Sequence, residues 1–242
     1  MGWEGFAAGE AICFDLDDTL IADSAAADDC WQQACAEAAA VGPVAATQLR
    51  EAVRRVGAWY WADPERHRVG RLDLLAATVA IVRDALAELG CADDPLAIAV
   101  ARRYRALRDE RTELFDGALE TLTTLGRAGH RLALITNGAA GAQRAKLERF
   151  ALSSYFDYIG VEGEVGVGKP DPEAYERALR ALGVKPQNAW MVGDNLVWDV
   201  RAAQDAGLRA IWIDRARAGL PANAPARPDH IATSVVELVV RG

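Results

Sequence analysis

The residues of this chain best suited to chemistry are acids gathered where short apolar runs end. Asp15, Asp17 and Asp18 stand together in FDLDDTL, and strand alternation puts Asp15 and Asp17 on one side where the chain leaves a sheet. Three carboxylates this close repel one another unless a cation or a lysine is near. Alone, such a cluster also fits a helix cap or a solvated turn. Three further features favour a site. Thr136, Asn137 and Gly138 end one apolar run and open a helical one, offering a hydroxyl and backbone N–H groups at a helix N-terminus, where an anion is stabilised. GDNLVWD closes another run and adds Asp194 and Asp199. Lys169 lies in GVGKPDP, where Gly166 and Gly168 permit a tight loop and Pro170 precedes a helix. Carboxylates mixed with carbonyl oxygens suit octahedral Mg2+, which keeps some of its water and bridges to phosphate.

These residues need a scaffold that brings several strand ends together. Short apolar runs at 11–16, 131–136, 189–193 and 209–213, with weaker ones at 158–161 and near 230, read as buried parallel strands. Helical patterns lie at about 118–128, 139–150, 172–182, 197–206 and 234–240. The alternation predicts an α/β fold, a Rossmann-like doubly wound parallel sheet with helices on both faces. Residues 22–115 break it with Ala-, Leu- and Arg-rich segments near 24–40, 45–58, 71–89 and 95–112, punctuated by Pro43, Pro64, Gly70, Gly90 and Pro95. They read as a four-helix insertion, an all-helical cap domain of residues 22–115 set into a core of 1–21 and 116–242. Ligands of open α/β sheets bind at the carboxyl ends of the strands, so a module inserted after the first strand is expected to roof the site.

Composition narrows the partners. The chain has 242 residues, 51% of them hydrophobic, and a net charge of −8, which speaks against binding a nucleic-acid polymer through its phosphates. No run reaches the roughly 18 apolar residues of a membrane span, and the start lacks a signal-peptide pattern, so a cytoplasmic protein is expected. The four cysteines, Cys13, Cys30, Cys35 and Cys91, form no CxxC pair and point to reduced thiols. Only three of the 27 basic residues are lysines: Lys146, Lys169 and Lys185. A compositional bias accounts for the scarcity but leaves each lysine worth inspecting.

Taken together, the motifs resemble those of the haloacid dehalogenase superfamily, chiefly its phosphatases. The first motif is Asp15, Asp17 and Thr19, the second Thr136 with Asn137 and Gly138, the third Lys169, the fourth Asp194 and Asp199. The resemblance implies Mg2+-dependent hydrolysis of a small phosphorylated metabolite. Asp15 would attack phosphorus to form an aspartyl-phosphate, with Asp17 as general acid and base and Lys169 as the third catalytic group. Asp15, Leu16, Asp17, Thr136, Asn137, Gly138 and Lys169 would surround the phosphoryl group. Asp15, the Asp17 carbonyl and Asp194 would hold Mg2+, with Asp199 supporting that shell. Asp18 and Thr19 are expected to shape the turn.

Other readings compete. A 2-haloacid dehalogenase needs no acid at the position of Asp17, because halide leaves without a proton. A phosphomutase uses the same groups and differs in how its cap excludes water. A non-enzymatic phospho-receiver needs about half this length, and a dead binding module would be expected to have lost a motif residue. Substrate choice is assigned to the cap, where Trp59, Tyr60 and Trp61 precede Arg66, His67, Arg68 and Arg71. Trp59 and Trp61 could stack on a substrate while Arg68 and Arg71 grip a second anionic group, or the two tryptophans could simply fill the space between helices. The sequence specifies no oligomeric state.

Overall fold

A computed structural model describes residues 4–239, which form two compact units, 4–22 with 114–239 and Asp23–Glu113. The first is built on six strands: β1 (Ala11–Phe14), β4 (Arg131–Thr136), β5 (Tyr158–Val161), β6 (Ala189–Gly193), β7 (Arg209–Ile213) and β8 (His230–Ala232). They pair in parallel in the order β5-β4-β1-β6-β7-β8. Two short strands, β2 (Ile21–Ala22) and β3 (Glu113–Leu114), pair where the chain leaves this unit and returns. The chain therefore fills one side of β1 with β4 and β5, then the other with β6 to β8. That reversal opens a crevice at the carboxyl ends of β1, β4 and β6.

The strands are mostly apolar because both faces of the sheet are covered. Ile12 and Phe14 of β1 join Leu132, Leu134, Val192 and Ile211 against Leu122 and Leu125 of helix α6 (Ala118–Arg127). Ala11 and Cys13 face the other way, with Ala133, Ile135 and Met191 against Tyr175 and Leu179 of α9 (Pro172–Leu182). Each large buried side chain contributes about 1.5–3 kcal/mol. β1 ends at Phe14, two residues short of the predicted strand. Asp15 still donates its N–H to Val192 O at 2.9 Å, and then the chain turns, Asp18 adopting φ 60°.

The predicted helix over 197–206 opens instead as a π-helical stretch, Leu196–Arg201, followed by one α turn, α10 (Ala202–Asp205). Its wide start has a local cause. The Asn195 side chain accepts from the N–H groups of Val197 and Trp198, both at 3.0 Å, while the Asn195 carbonyl accepts from Asp199 and Val200. The predicted helix over 234–240 is a 3-10 turn at Val235–Leu238, and residue 240 lies outside the described residues.

The helical unit holds α1 (Ala27–Ala39), α2 (Ala46–Ala62), α3 (Pro64–Gly70), α4 (Leu74–Glu88) and α5 (Asp94–Arg111). The four-helix expectation thus misses α3. Pro64 signals a helix start rather than an end, because Pro is tolerated in the first helical turn and the Asp63 side chain accepts from Arg66 N–H at 2.8 Å. Cys30, Leu49, Val53, Ile81, Leu86, Val100 and Leu107 form this unit's own core. The four cysteines are free thiols. No described helix is long and apolar enough to cross a membrane.

Gly193 ends β6 directly beside the acids. A Cβ there would lie 2.2 Å from Asp199 Cγ, so even one methyl displaces the Asp199 carboxylate. Gly193→Ala is expected to lose about 1–3 kcal/mol by overpacking, read as a lower urea midpoint at unchanged m-value. An unaltered midpoint would contradict the close approach.

Candidate active site

The buried ammonium of Lys169 links the strand ends. Only 2% of this residue is exposed, and its Nζ lies 2.6 Å from Asp15 Oδ1 and 2.6 Å from Asp199 Oδ1. Asp15 leaves β1, Asp194 follows β6, and Asp199 stands on the π-helical stretch. One carboxylate oxygen from each of these three acids falls within a 4.8 Å cluster. The remaining Asp199 oxygen accepts from Asn195 N–H at 3.0 Å. Burial pushes the Asp15 carboxyl well above the usual range; Lys169 opposes that rise, while Asp199, Asp194 and Asp17 add to it. Burial also lifts Asp194 to about 7, helped by Asp199 and Asp18. For Lys169, burial favours losing the proton, but Asp15 and Asp199 more than offset it and keep the ammonium charged.

The loop that carries Lys169 is clamped by the second motif. Asn137 Nδ2 donates to Lys169 O and Asn137 Oδ1 accepts from Lys169 N–H, each at 2.7 Å. The sequence reading gave this region to phosphate through its backbone, whereas the Asn137 side chain splints the lysine. Gly138 N–H donates to Glu162 Oε2 at 2.9 Å, so this amide already has a carboxylate partner. Glu162, on the single-turn helix α8 (Glu162–Val165), is buried. Nothing in the sequence marked it except its place after a strand. Gly168 is required here, since a Cβ would sit 2.5 Å from Glu162 Cδ and 2.7 Å from Asn137 Oδ1.

Asp17 lies apart from the Asp15, Asp194 and Asp199 cluster. Its carboxylate oxygens are taken by two residues of α7 (Ala140–Arg149): Lys146 Nζ at 2.7 Å from Oδ1 and Gln143 Nε2 at 3.0 Å from Oδ2. Gln143 also donates to Thr136 Oγ1 at 2.6 Å. Neither Gln143 nor the role of Lys146 was read from the sequence, although the rarity of lysine was a signal. The Leu16 side chain is buried in the core. Asp18 and Thr19 belong to the turn, where Asp18 N–H donates to Ile21 O at 2.7 Å.

The cap residues singled out from the sequence separate. Trp61 lines a cavity of about 390 Å³ within the helical unit, together with Trp31, Arg54, Tyr104, Arg105 and Arg108. Trp31 and Tyr104 stack there at 3.7 Å between ring centroids. Trp59 is largely exposed and carries the Arg66 guanidinium over its ring at 3.8 Å. Arg68 donates to Glu65 through Nε and Nη2, at 2.8 and 2.6 Å. Arg71 ends α3, its N–H capping that helix. Of the four, only Trp61 is on the cavity wall.

The sheet order and the buried lysine among clustered acids place this chain among α/β proteins that carry a carboxylate site at the carboxyl ends of a parallel sheet. The family comparison agrees: the haloacid dehalogenase-like hydrolase model matches residues 10–207, and the chain belongs to that family. It is 36% identical over 236 residues to a phosphoserine phosphatase of Thermus thermophilus, covering 90% of this chain and 93% of that protein. It is 30% identical over 212 residues to a glyceraldehyde 3-phosphate phosphatase of Methanopyrus kandleri, covering 86% and 85%. Among solved structures, the magnesium-bound putative HAD-hydrolase YfnB of Bacillus subtilis shares the fold at a TM-score of 0.73 and 20% identity, over 97% of this chain and 100% of that one. A 2-haloacid dehalogenase of Pseudomonas syringae pv. tomato matches at a TM-score of 0.63 and 29% identity, over 95% and 96%.

The clustered acids can hold a divalent metal: they offer only hard oxygen donors, and burial, with repulsion from the neighbouring acids, raises the proton affinity of Asp15 and Asp194, a strain that a cation would relieve. A consequence follows for stability. Asp194 holds its proton up to about pH 7 when folded against an ordinary value of 3.8. Folding therefore takes up a proton between these values, and this residue's contribution to stability falls as pH rises through that window. In chelator, Asp194→Asn is expected to melt above the wild type at pH 8, with the gap closing near pH 4. Mg2+ at pH 8 should raise the wild-type melting temperature more than the variant's. A gap that widens on acidification would refute the assignment.

Proposed function

We propose that the protein is a Mg2+-dependent phosphatase acting on a small phosphate monoester through an aspartyl-phosphate on Asp15. The observation that carries this reading is the pairing of the Asp15 carboxylate with buried Lys169, with a second acid, Asp17, two residues further along. Asp15 attacks phosphorus as the bond to the ester oxygen breaks, and Asp17 gives that oxygen its proton. Water then attacks the phosphorylated Asp15 while Asp17 takes up the water's proton, releasing phosphate and the free carboxylate. A halide would need no proton, so Asp17 favours phosphate over halide chemistry, and the phosphatase relatives point the same way.

Lys169 offsets repulsion between the incoming phosphoryl oxygens and Asp15 while holding that carboxylate in place. Gln143 donates into the Thr136 oxygen, and the Thr136 hydroxyl, whose own acceptor is the Asn137 carbonyl at a long 3.4 Å, would turn to donate to a phosphoryl oxygen. Leu16 contributes its backbone, and Asn137 acts mainly by fixing Lys169. Mg2+ bound by Asp15, Asp194 and the Asp17 carbonyl would neutralise charge on the phosphoryl group. Asp199, whose oxygens already accept from Lys169 and Asn195, supports that shell indirectly. Substrate choice is assigned to the helical unit. The small monoesters named for the two phosphatase relatives set the size class.

Purified protein screened against phosphorylated metabolites and 4-nitrophenyl phosphate should release phosphate only with Mg2+, and EDTA should stop it reversibly. Asp15→Asn should lower turnover by at least about 10³-fold with the melting curve still cooperative. Turnover that survives this substitution, or needs no metal, would sink the reading.

A further inference from the structure

We infer that Gln143 and Lys146 are positioning residues for Asp17, aiming its carboxyl group for proton transfer; the inference rests on the phosphatase reading above. The two residues are three apart on α7 and so share a face of the helix. They take one carboxylate oxygen each, at 3.0 and 2.7 Å. Neither is a mobile surface contact: Gln143 is 2% exposed and the Lys146 side chain 12%. The Asp17 side chain itself is 32% exposed, and these two donors fix the direction of its carboxylate.

The chemistry of Gln143 settles its orientation. A carboxylate only accepts, so the amide NH2 must face Asp17, and the same NH2 reaches Thr136 Oγ1 at 2.6 Å. One side chain thereby sets the direction of both the proton-transfer group and the hydroxyl of the second motif. Lys146 is in the last turn of α7, where a cation is also favoured by the helix dipole. That role alone would give the lysine no influence on proton transfer. Exposed ion pairs commonly contribute little to stability, so a functional effect has to be read in turnover. Misplacing a reacting group by about 1 Å is enough for roughly a 10²-fold loss.

The test compares a phosphate ester with an alkyl leaving group, which needs its proton, with 4-nitrophenyl phosphate, which leaves well without one. Lys146→Met is expected to lower kcat about 10–100-fold for the alkyl ester, less than about fivefold for the aryl ester, and to leave KM within about twofold. Lys146→Arg, which keeps a charged donor, should recover most of the alkyl activity. In an Asp17→Asn background the Lys146→Met loss should disappear, because the group it aims is gone. Gln143→Leu should lower both esters, since Thr136 loses its partner too. Equal losses for the two leaving groups with Lys146→Met, or a full loss persisting beside Asp17→Asn, would overturn the proposal, as would wild-type behaviour of Lys146→Met. A wild type that hydrolyses neither ester overturns this inference together with the phosphatase reading, whereas the other adverse outcomes remove the positioning role alone.

Discussion

The buried ammonium of Lys169 between Asp15 and Asp199 is the contact around which the rest of the site is arranged, at 2.6 Å to each carboxylate. Removing a charge of this size from water costs several kcal/mol even after relaxation, and only well-placed opposite charge offsets it. The surrounding sequence answers that demand. Asn137 grips the lysine backbone from both sides. Gly168 lets Glu162 and Asn137 close over the loop, and Gly193 leaves room for Asp199 against the end of β6. The wide helical start after Asn195 brings Asp199 back toward the cluster instead of letting it follow an ordinary α turn.

One lysine does not balance three acids. The clustered Asp15, Asp194 and Asp199 exceed Lys169 in charge, and the raised proton affinity of Asp15 and Asp194 expresses that excess together with their burial. A site with surplus negative charge in a low-dielectric crevice is prepared for a cation. Asp17 adds to the repulsion felt by Asp15, but its own carboxylate is met by a cation and an amide from α7. Two acids separated by one residue thus meet different electrostatic surroundings, a difference that suits the two tasks proposed for them.

The helical unit shows where local sequence misleads. Asp63-Pro64 reads as a break when proline is taken as a helix stop, yet the same pair is an N-cap followed by a first-turn proline, and it starts α3. Of the two arginines chosen for an anion, Arg68 pairs with Glu65, and the Arg71 backbone N–H caps the end of that helix. Trp59 and Trp61 are two residues apart, about 200° on a helix, so they point to different surroundings: one carries Arg66 at the surface and the other lines the cavity. Tyr104, Arg105 and Arg108 of the same cavity wall had no signature, since a single aromatic or arginine on a helix reads as ordinary packing or solvation.

The sequence by itself determined the parallel sheet, the helical interruption and the strand-end positions of Asp15, Thr136 and Asp194, because strand runs and the turns that end them are local patterns of hydrophobicity and backbone freedom. It also placed Asp17 beside Asp15 by mere adjacency. Only the tertiary structure decided which groups those side chains meet. Asp17 and Lys146 are 129 residues apart in the chain and 2.7 Å apart in space, and Gly138 and Glu162, 24 residues apart, share a hydrogen bond. Such pairings arise where different strands and helices converge, and no periodicity within one segment encodes the direction of another. Charge and hydrogen-bonding capacity are properties of residues, whereas proton affinity and orientation are properties of their neighbours.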